Sequence, residues 1–202
     1  MASLSDARTL GGIGSLLVLF TPVPNVGWIL GIAGLVMILA AVRNISEVVG
    51  DKEICHDMRT AVVLAVGAIA VGTVTVIGAV YQVLGMGTFS GSKFVLASNI
   101  TTGDWFGLAV VVAVGVLVVE GFLVASAVFV RKSLKIVSSK LNIKRFETAG
   151  LLYLIAAASA IVVVGFILLF VAEILLAISF FSISEQQNSP QLNQVQPIAA
   201  TS

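Results

Sequence analysis

Two glutamates stand in sequence that is otherwise apolar on every side. Glu120 lies in the run GVLVVEGFLVAS and Glu173 in LFVAEILLA, and neither has a charged neighbour within its run. On a helix, Glu120 falls about 24 Å from Asp104 and about 16 Å from Arg131. That depth is well inside a hydrocarbon layer about 30 Å thick, where a charged side chain costs at least about 2.5–3.5 kcal/mol. Two chemistries suit such a residue. A carboxyl group can hydrogen-bond a neighbouring helix and join the two, or it can handle a proton or a cation. No Lys, Arg or His stands in the apolar runs to pair with it. Glu173 lies about 33 Å along its helix from Leu151, near the outer edge of the same layer. An interfacial, solvated carboxylate is expected there, too far in depth from Glu120 for the two to pair.

The other reactive side chains carry less chemistry. Ser126, Thr73 and Thr75 have hydroxyls that would line a path, but Ser and Thr within spans usually bond their own helix backbone. Glu53, Cys55, His56 and Asp57 cluster in NISEVVGDKEICHDMRT, yet one Cys and one His without a recognised spacing fall short of a zinc site, and a solvated connecting loop is expected. The single cysteine excludes an intramolecular disulfide. Asn99-Ile100-Thr101 is an N-glycosylation sequon. With no phosphate-binding glycine loop, triad or dyad, neither an enzyme nor a cofactor is expected.

The elements that must position these residues follow from composition. Of 202 residues, 58% are hydrophobic and only 10% charged, whereas charged residues make up about a quarter of an ordinary soluble domain. Runs such as AVVLAVGAIAVGTVTVIGAVY lack the alternation of a membrane barrel and read as spanning helices. The expected fold is all-α, a polytopic transmembrane bundle of about five spans over residues 4–20, 26–42, 60–84, 104–130 and 148–181. Arg8 followed by the apolar run 10–20 resembles a secretory signal, but TPVPN offers no cleavage site and the run is retained. Ser3 with Asp6 makes a capping-box start, and Asn25 is placed to cap the second helix. Between them, Pro22 and Pro24 push Thr21 and Val23 out of the α region, so LFTPVPNVGW closes a short hairpin, either spanning fully or turning inside the membrane. Trp28 suits the interface. Gly11, Ser15, Gly27, Gly31 and Gly34 recur near the small-xxx-small spacing that lets helices approach.

Charge sets the orientation. Of the 11 Lys and Arg residues, Arg8, Arg43, Lys52, Arg59, Arg131, Lys132, Lys135, Lys140, Lys144 and Arg145 fall on one side of a five-span chain and only Lys93 on the other. The positive-inside rule then places the N-terminus in the cytoplasm and the C-terminus outside. The basic segment 131–145 has Leu134, Val137 and Leu141 at helical spacing and reads as a topogenic loop that touches anionic headgroups, with no nucleic acid involved. The last apolar run is longer than a bilayer needs and suits a partner. Residues 184–202, rich in Gln, Asn, Ser and Pro, read as a disordered external tail.

The N-terminal third carries a resemblance. LGGIGSLLVLF, a short break, GWILGIAGLVMILAAVRNIS and VVGDKEICHDM resemble the archaeal multi-pass membrane proteins of domain-of-unknown-function family 996. Arg43-Asn44-Ile45-Ser46 and Asp51-Lys52-Glu53-Ile54 occupy the places of that family's short motifs, with Cys55 where an aromatic is commoner. The match is close over residues 9–60 and rests on hydropathy beyond. It implies an archaeal plasma membrane and brings no activity or catalytic residue. The expected function is a structural or accessory component of a membrane assembly, with membrane lipids and a membrane-protein partner or a second copy as its contacts. The alternative is a small homo-oligomeric channel or transporter that uses Glu120.

Overall fold

The computed structural model describes residues 3–90, 93–96, 101–160 and 163–183. Asn99 and the tail 184–202 lie outside them. Six helices follow in order: α1 Leu4–Leu19, α2 Gly27–Val49, α3 Lys52–Gly85, α4 Thr102–Leu141, α5 Lys144–Ala158 and α6 Val163–Phe181. Strands β1 Gly87–Ser90 and β2 Lys93–Leu96 pair antiparallel between α3 and α4, Gly87 opposite Leu96 and Ser90 opposite Lys93. The fold is the all-α polytopic bundle that the composition demands. Among the described residues, four stretches are long and apolar enough to cross a membrane: Ile29–Val49, Lys52–Gly85, Thr102–Leu141 and Val164–Phe181.

The helix boundaries differ from expectation in three ways, each for a local reason. The acidic segment after residue 43 and the basic segment after residue 130 are helical rather than looped, because a helix tolerates charge once it leaves the lipid. The chain turns there only at Gly50 (φ 74°) and Asn142 (φ 55°), both left-handed C-caps, the conformation that glycine adopts freely and asparagine more readily than most. Ser3 accepts the Asp6 N–H at 3.0 Å as a cap should, but Asn25 is a turn residue with φ 67° and α2 starts after Val26 without a side-chain cap.

The third difference is the largest. The run 148–181, expected as one span, is two antiparallel helices. Phe146 meets Phe180 edge-on with centroids 5.2 Å apart, Tyr153 bonds Glu173, and Arg145 Nη1 donates to Ser182 Oγ at 3.1 Å. The run is far longer than a bilayer needs, and folding it back buries apolar area that a straight rod would leave uncovered. As a result Ile183 and Leu4 belong to one buried cluster. The two end helices therefore finish on the same side of the bundle, not on opposite sides.

That cluster is the core. It gathers Leu4 and Ala7 from α1, Ile38 to Ile45 from α2, Ile54 and Met58 from α3, Leu134 to Leu141 from α4, Phe146 and Ala149 from α5, and Leu176 and Phe180 from α6, with Ile183 just beyond its end. Every odd helix starts in it and every even helix ends in it. We call this end the base. Close approach continues above it in α1 and α2, where a Cβ on Gly14 would lie 2.8 Å from the Gly34 carbonyl oxygen, and one on Gly11 would collide with the Phe180 ring. Gly27 and Gly31 pack against Thr21 in the turn. Ser15 is buried, and its hydroxyl bonds the Gly11 carbonyl at 2.9 Å.

Candidate functional site

The polar groups fall at three levels along the bundle. At the base, α3 and α4 are joined by charge and by hydroxyls. Lys132 Nζ lies 2.7 Å from Glu53 Oε1 and 3.2 Å from Asp57 Oδ2, and Lys140 Nζ lies 3.6 Å from Asp51 Oδ2. Arg43 Nε pairs with Glu47 at 2.8 Å, one turn along α2. Ser133 Oγ donates to the Ile54 carbonyl at 3.0 Å and Ser126 Oγ to the Ala61 carbonyl at 2.8 Å. These two serines bridge helices, unlike Thr73 and Thr75, whose hydroxyls bond Ile69 and Val71 on their own helix. Glu53 and Asp57 are thus ion-pair partners of Lys132 rather than part of a solvated loop with Cys55 and His56.

Going up the pair, Phe122 meets Gly67, Val119 meets Gly72 and Thr75 meets Gly115. This register brings Arg59 and Arg131 to nearly one level, at the foot of the two apolar stretches. Among the described residues neither forms an ion pair. At the other end Tyr81 is 73% and Trp105 51% exposed. Arg59 to Tyr81 spans about 33 Å and Arg131 to Trp105 about 39 Å along the helices. Cations at one end and aromatic side chains at the other are the flanks of a membrane-crossing pair.

Glu173 occupies the second level. It is 2% exposed, not solvated at an edge, because the folded-back run carries it against α5 instead of toward the far face. The Tyr153 hydroxyl donates to Glu173 Oε1, while Oε2 is buried without a hydrogen-bond partner. Sequence reasoning missed Tyr153. Twenty residues separate it from Glu173, and only a break in the run makes them neighbours.

Glu120 is at the third level, half-buried, with its Oε1 enclosed and lacking a hydrogen-bond partner. It shares a face of α4 with Ala127 and Leu134, which follow at intervals of seven residues and are both buried. The structure does not bring Glu120 and Glu173 together. Gly150 on α5 packs against Arg131 and Leu134, which puts Tyr153 roughly one turn above Arg131 and Glu120 about 16 Å above it.

The family model described as "Protein of unknown function (DUF996)" matches residues 30–174. The chain is 34% identical to the uncharacterized protein MJ1644 of Methanocaldococcus jannaschii over 186 residues, covering 92% of this chain and 96% of that protein. No solved structure matches the chain.

Proposed function

Since this chain belongs to the DUF996 family of proteins of unknown function, we propose that it is a non-enzymatic structural or accessory component of a membrane assembly in an archaeal plasma membrane. The observation that carries this reading is the contrast between a base where all six helices are tied together and an α3–α4 pair whose apolar stretches stand largely uncovered above it. A tied base with a projecting apolar pair suits a part that anchors to lipid or to another membrane protein. The archaeal relative supports the setting. Ten of the 11 cations adjoin the base, which supports a cytoplasmic base. Leu4 and Ile183 then both face the cytoplasm. Native mass spectrometry of protein gently extracted from its own membrane tests the role: a defined mass increment from another polypeptide is expected, and a lone monomer counts against it. Cys55 tests the side. An impermeant thiol reagent should reach it only after sealed right-side-out vesicles are opened.

A second reading, ion or proton transport through Glu120, is favoured by one observation, the enclosed and unpartnered Oε1 within an apolar stretch. Glu120→Gln should abolish flux in reconstituted vesicles while leaving assembly intact. Unchanged flux would remove this reading.

A further inference from the structure

The α1–α2 hairpin is short when measured from the core. Val18 on α1 packs against the shared cluster, and so does Val130 on α4. Met58 is the highest α3 residue in that cluster. Met58 and Val130 are each followed by an arginine, so the upper edge of the core and the foot of the two apolar stretches coincide. Above that edge α3 continues about 40 Å to Gly85 and α4 about 42 Å to Thr102, more than the roughly 30 Å of a hydrocarbon layer. By contrast, α1 stops one residue past Val18. A Cβ on Gly34 would lie 2.7 Å from Val18 Cγ2, which sets Gly34 at the same edge, and α2 begins only about 10 Å above it at Gly27. The connection closes there, since Gly27 and Gly31 both pack against Thr21. The tip of the hairpin thus stands about a third of a hydrocarbon thickness above the foot of α3 and α4.

The chemistry of this tip suits lipid. Phe20, Val23, Val26 and Ile29 are each 42–52% exposed, and no charged residue stands between Arg8 and Arg43. A turn in water can leave N–H groups to the solvent, whereas irregular backbone at membrane depth must be satisfied within the protein. Here the N–H groups of Phe20, Thr21, Val23, Val26 and Gly27 donate to the carbonyls of Leu17, Val18, Phe20, Pro24 and Val23 at 2.8–3.1 Å. Pro22 and Pro24 have no N–H to satisfy, and the Thr21 hydroxyl donates to the Val18 carbonyl at 2.6 Å. Of residues 20–27 that leaves Asn25 as the one polar remnant, at a left-handed φ of 67° that asparagine tolerates better than most side chains.

We infer that α1–α2 is a re-entrant hairpin: it enters from the base side, and Phe20, Val23, Val26 and Ile29 at its tip are seated among the lipid chains of the base-side leaflet without reaching the far face. Its depth is set by helix register alone, and is the same whether the chain works by itself or beside a partner.

Single cysteines in a Cys55→Ser background test this in sealed membrane vesicles of either orientation, with Lys144→Cys marking the base side and Thr102→Cys the far side. Val23→Cys and Val26→Cys replace half-exposed side chains, so neither empties the core. An impermeant thiol reagent should modify them from neither face, at least about tenfold more slowly than Lys144→Cys, because the reactive thiolate is itself excluded from lipid. Full reactivity should return once the membrane is dissolved. Modification from the Thr102 side would mean that the hairpin crosses, and modification from the Lys144 side would place its tip in water; either overturns the re-entrant hairpin. A nitroxide attached at the same two positions then identifies what covers the tip. Relaxation by dissolved oxygen, and not by a water-soluble nickel chelate, is expected of lipid chains. Relaxation by the chelate, or by neither, would put water or protein in their place and overturn the lipid contact.

Discussion

The base and the upper half of α3–α4 are built from the same kinds of residue and held by different physics. At the base, apolar side chains from six helices are sealed beside a fringe of Lys, Arg, Asp and Glu. Water is close there, so burying apolar area is itself a driving force, about 25 cal/mol per Å². In the upper half Val74, Ile77, Leu117 and Val114 are exposed. Lipid is as apolar as they are, so nothing drives them inward, and helix association falls to close packing and hydrogen bonds. The small residues Gly67, Gly72 and Gly115 appear where the two helices touch. Stability and crossing are thus assigned to different ends of the same two helices.

The same substitution at both ends gives the largest expected contrast. Leu134 is 0% and Leu117 65% exposed on α4. Leu134→Ala should cost about 2–5 kcal/mol, the range for a buried leucine cut back to alanine. Leu117→Ala should stay within about 0.5 kcal/mol. Titration of detergent-solubilised protein with a denaturing detergent would measure both. Similar losses at the two positions would mean that a partner or a second copy covers the upper half.

Tyr153→Phe asks whether the α5–α6 hairpin belongs with the base. It removes the only hydrogen bond made to Glu173 among the described residues and leaves both carboxyl oxygens buried. The expected loss is about 1–3 kcal/mol. Tyr153→Phe combined with Glu173→Leu should recover part of it, since replacing both partners leaves no orphaned polar group. If Tyr153→Phe costs nothing, water reaches Glu173 and the hairpin is looser than the base.

Hydroxyls sharpen the comparison further. Ser133 and Thr73 each donate one hydrogen bond, the first to α3 across the interface and the second to its own helix. Ser133→Ala should cost about 1 kcal/mol, because it leaves the Ile54 carbonyl buried without that donor. Thr73→Val should be close to neutral in the same titration, since the Ile69 carbonyl keeps its place in the helix.

What the sequence disclosed follows the same division. The long apolar runs of α3 and α4, the short hairpin of α1 and α2, and the capping role of Ser3 are written in composition and in local chemistry. The base was not, because its members are single residues from six helices whose meeting depends on register. Charge density around Lys52 and Lys132 suggested loops, yet the ion pairs need both helices to continue below the membrane. Gly50 and Asn142 did carry a stop signal, each followed within two residues by a lysine that starts the next helix. The break in the last run has no proline, and its only cues are its excess length and Ser159. Missing it moved Glu173 to an edge, hid Tyr153, and separated the end of the last helix from the start of the first, which share one cluster.

The weakest expected effect tests the charged fringe of the base. Lys140 and Asp51 approach to only 3.6 Å at the margin between α4 and α3, and the lysine side chain is about half exposed. Exposed pairs of this kind contribute between nothing and about 1 kcal/mol, and at 3.6 Å the contact is longer than a good hydrogen bond. Lys140→Gln should therefore change stability by less than about 0.5 kcal/mol, and raising the salt from about 0.1 M to about 1 M should erase the difference, as the screening length falls from about 10 Å to about 3 Å. The Ser133 effect, in contrast, should persist at high salt, because its hydrogen bond is buried between two uncharged groups. Should Lys140→Gln prove costly and insensitive to salt, the α3–α4 end would be enclosed rather than wet, and the cations around the base would be packing against a partner instead of facing water.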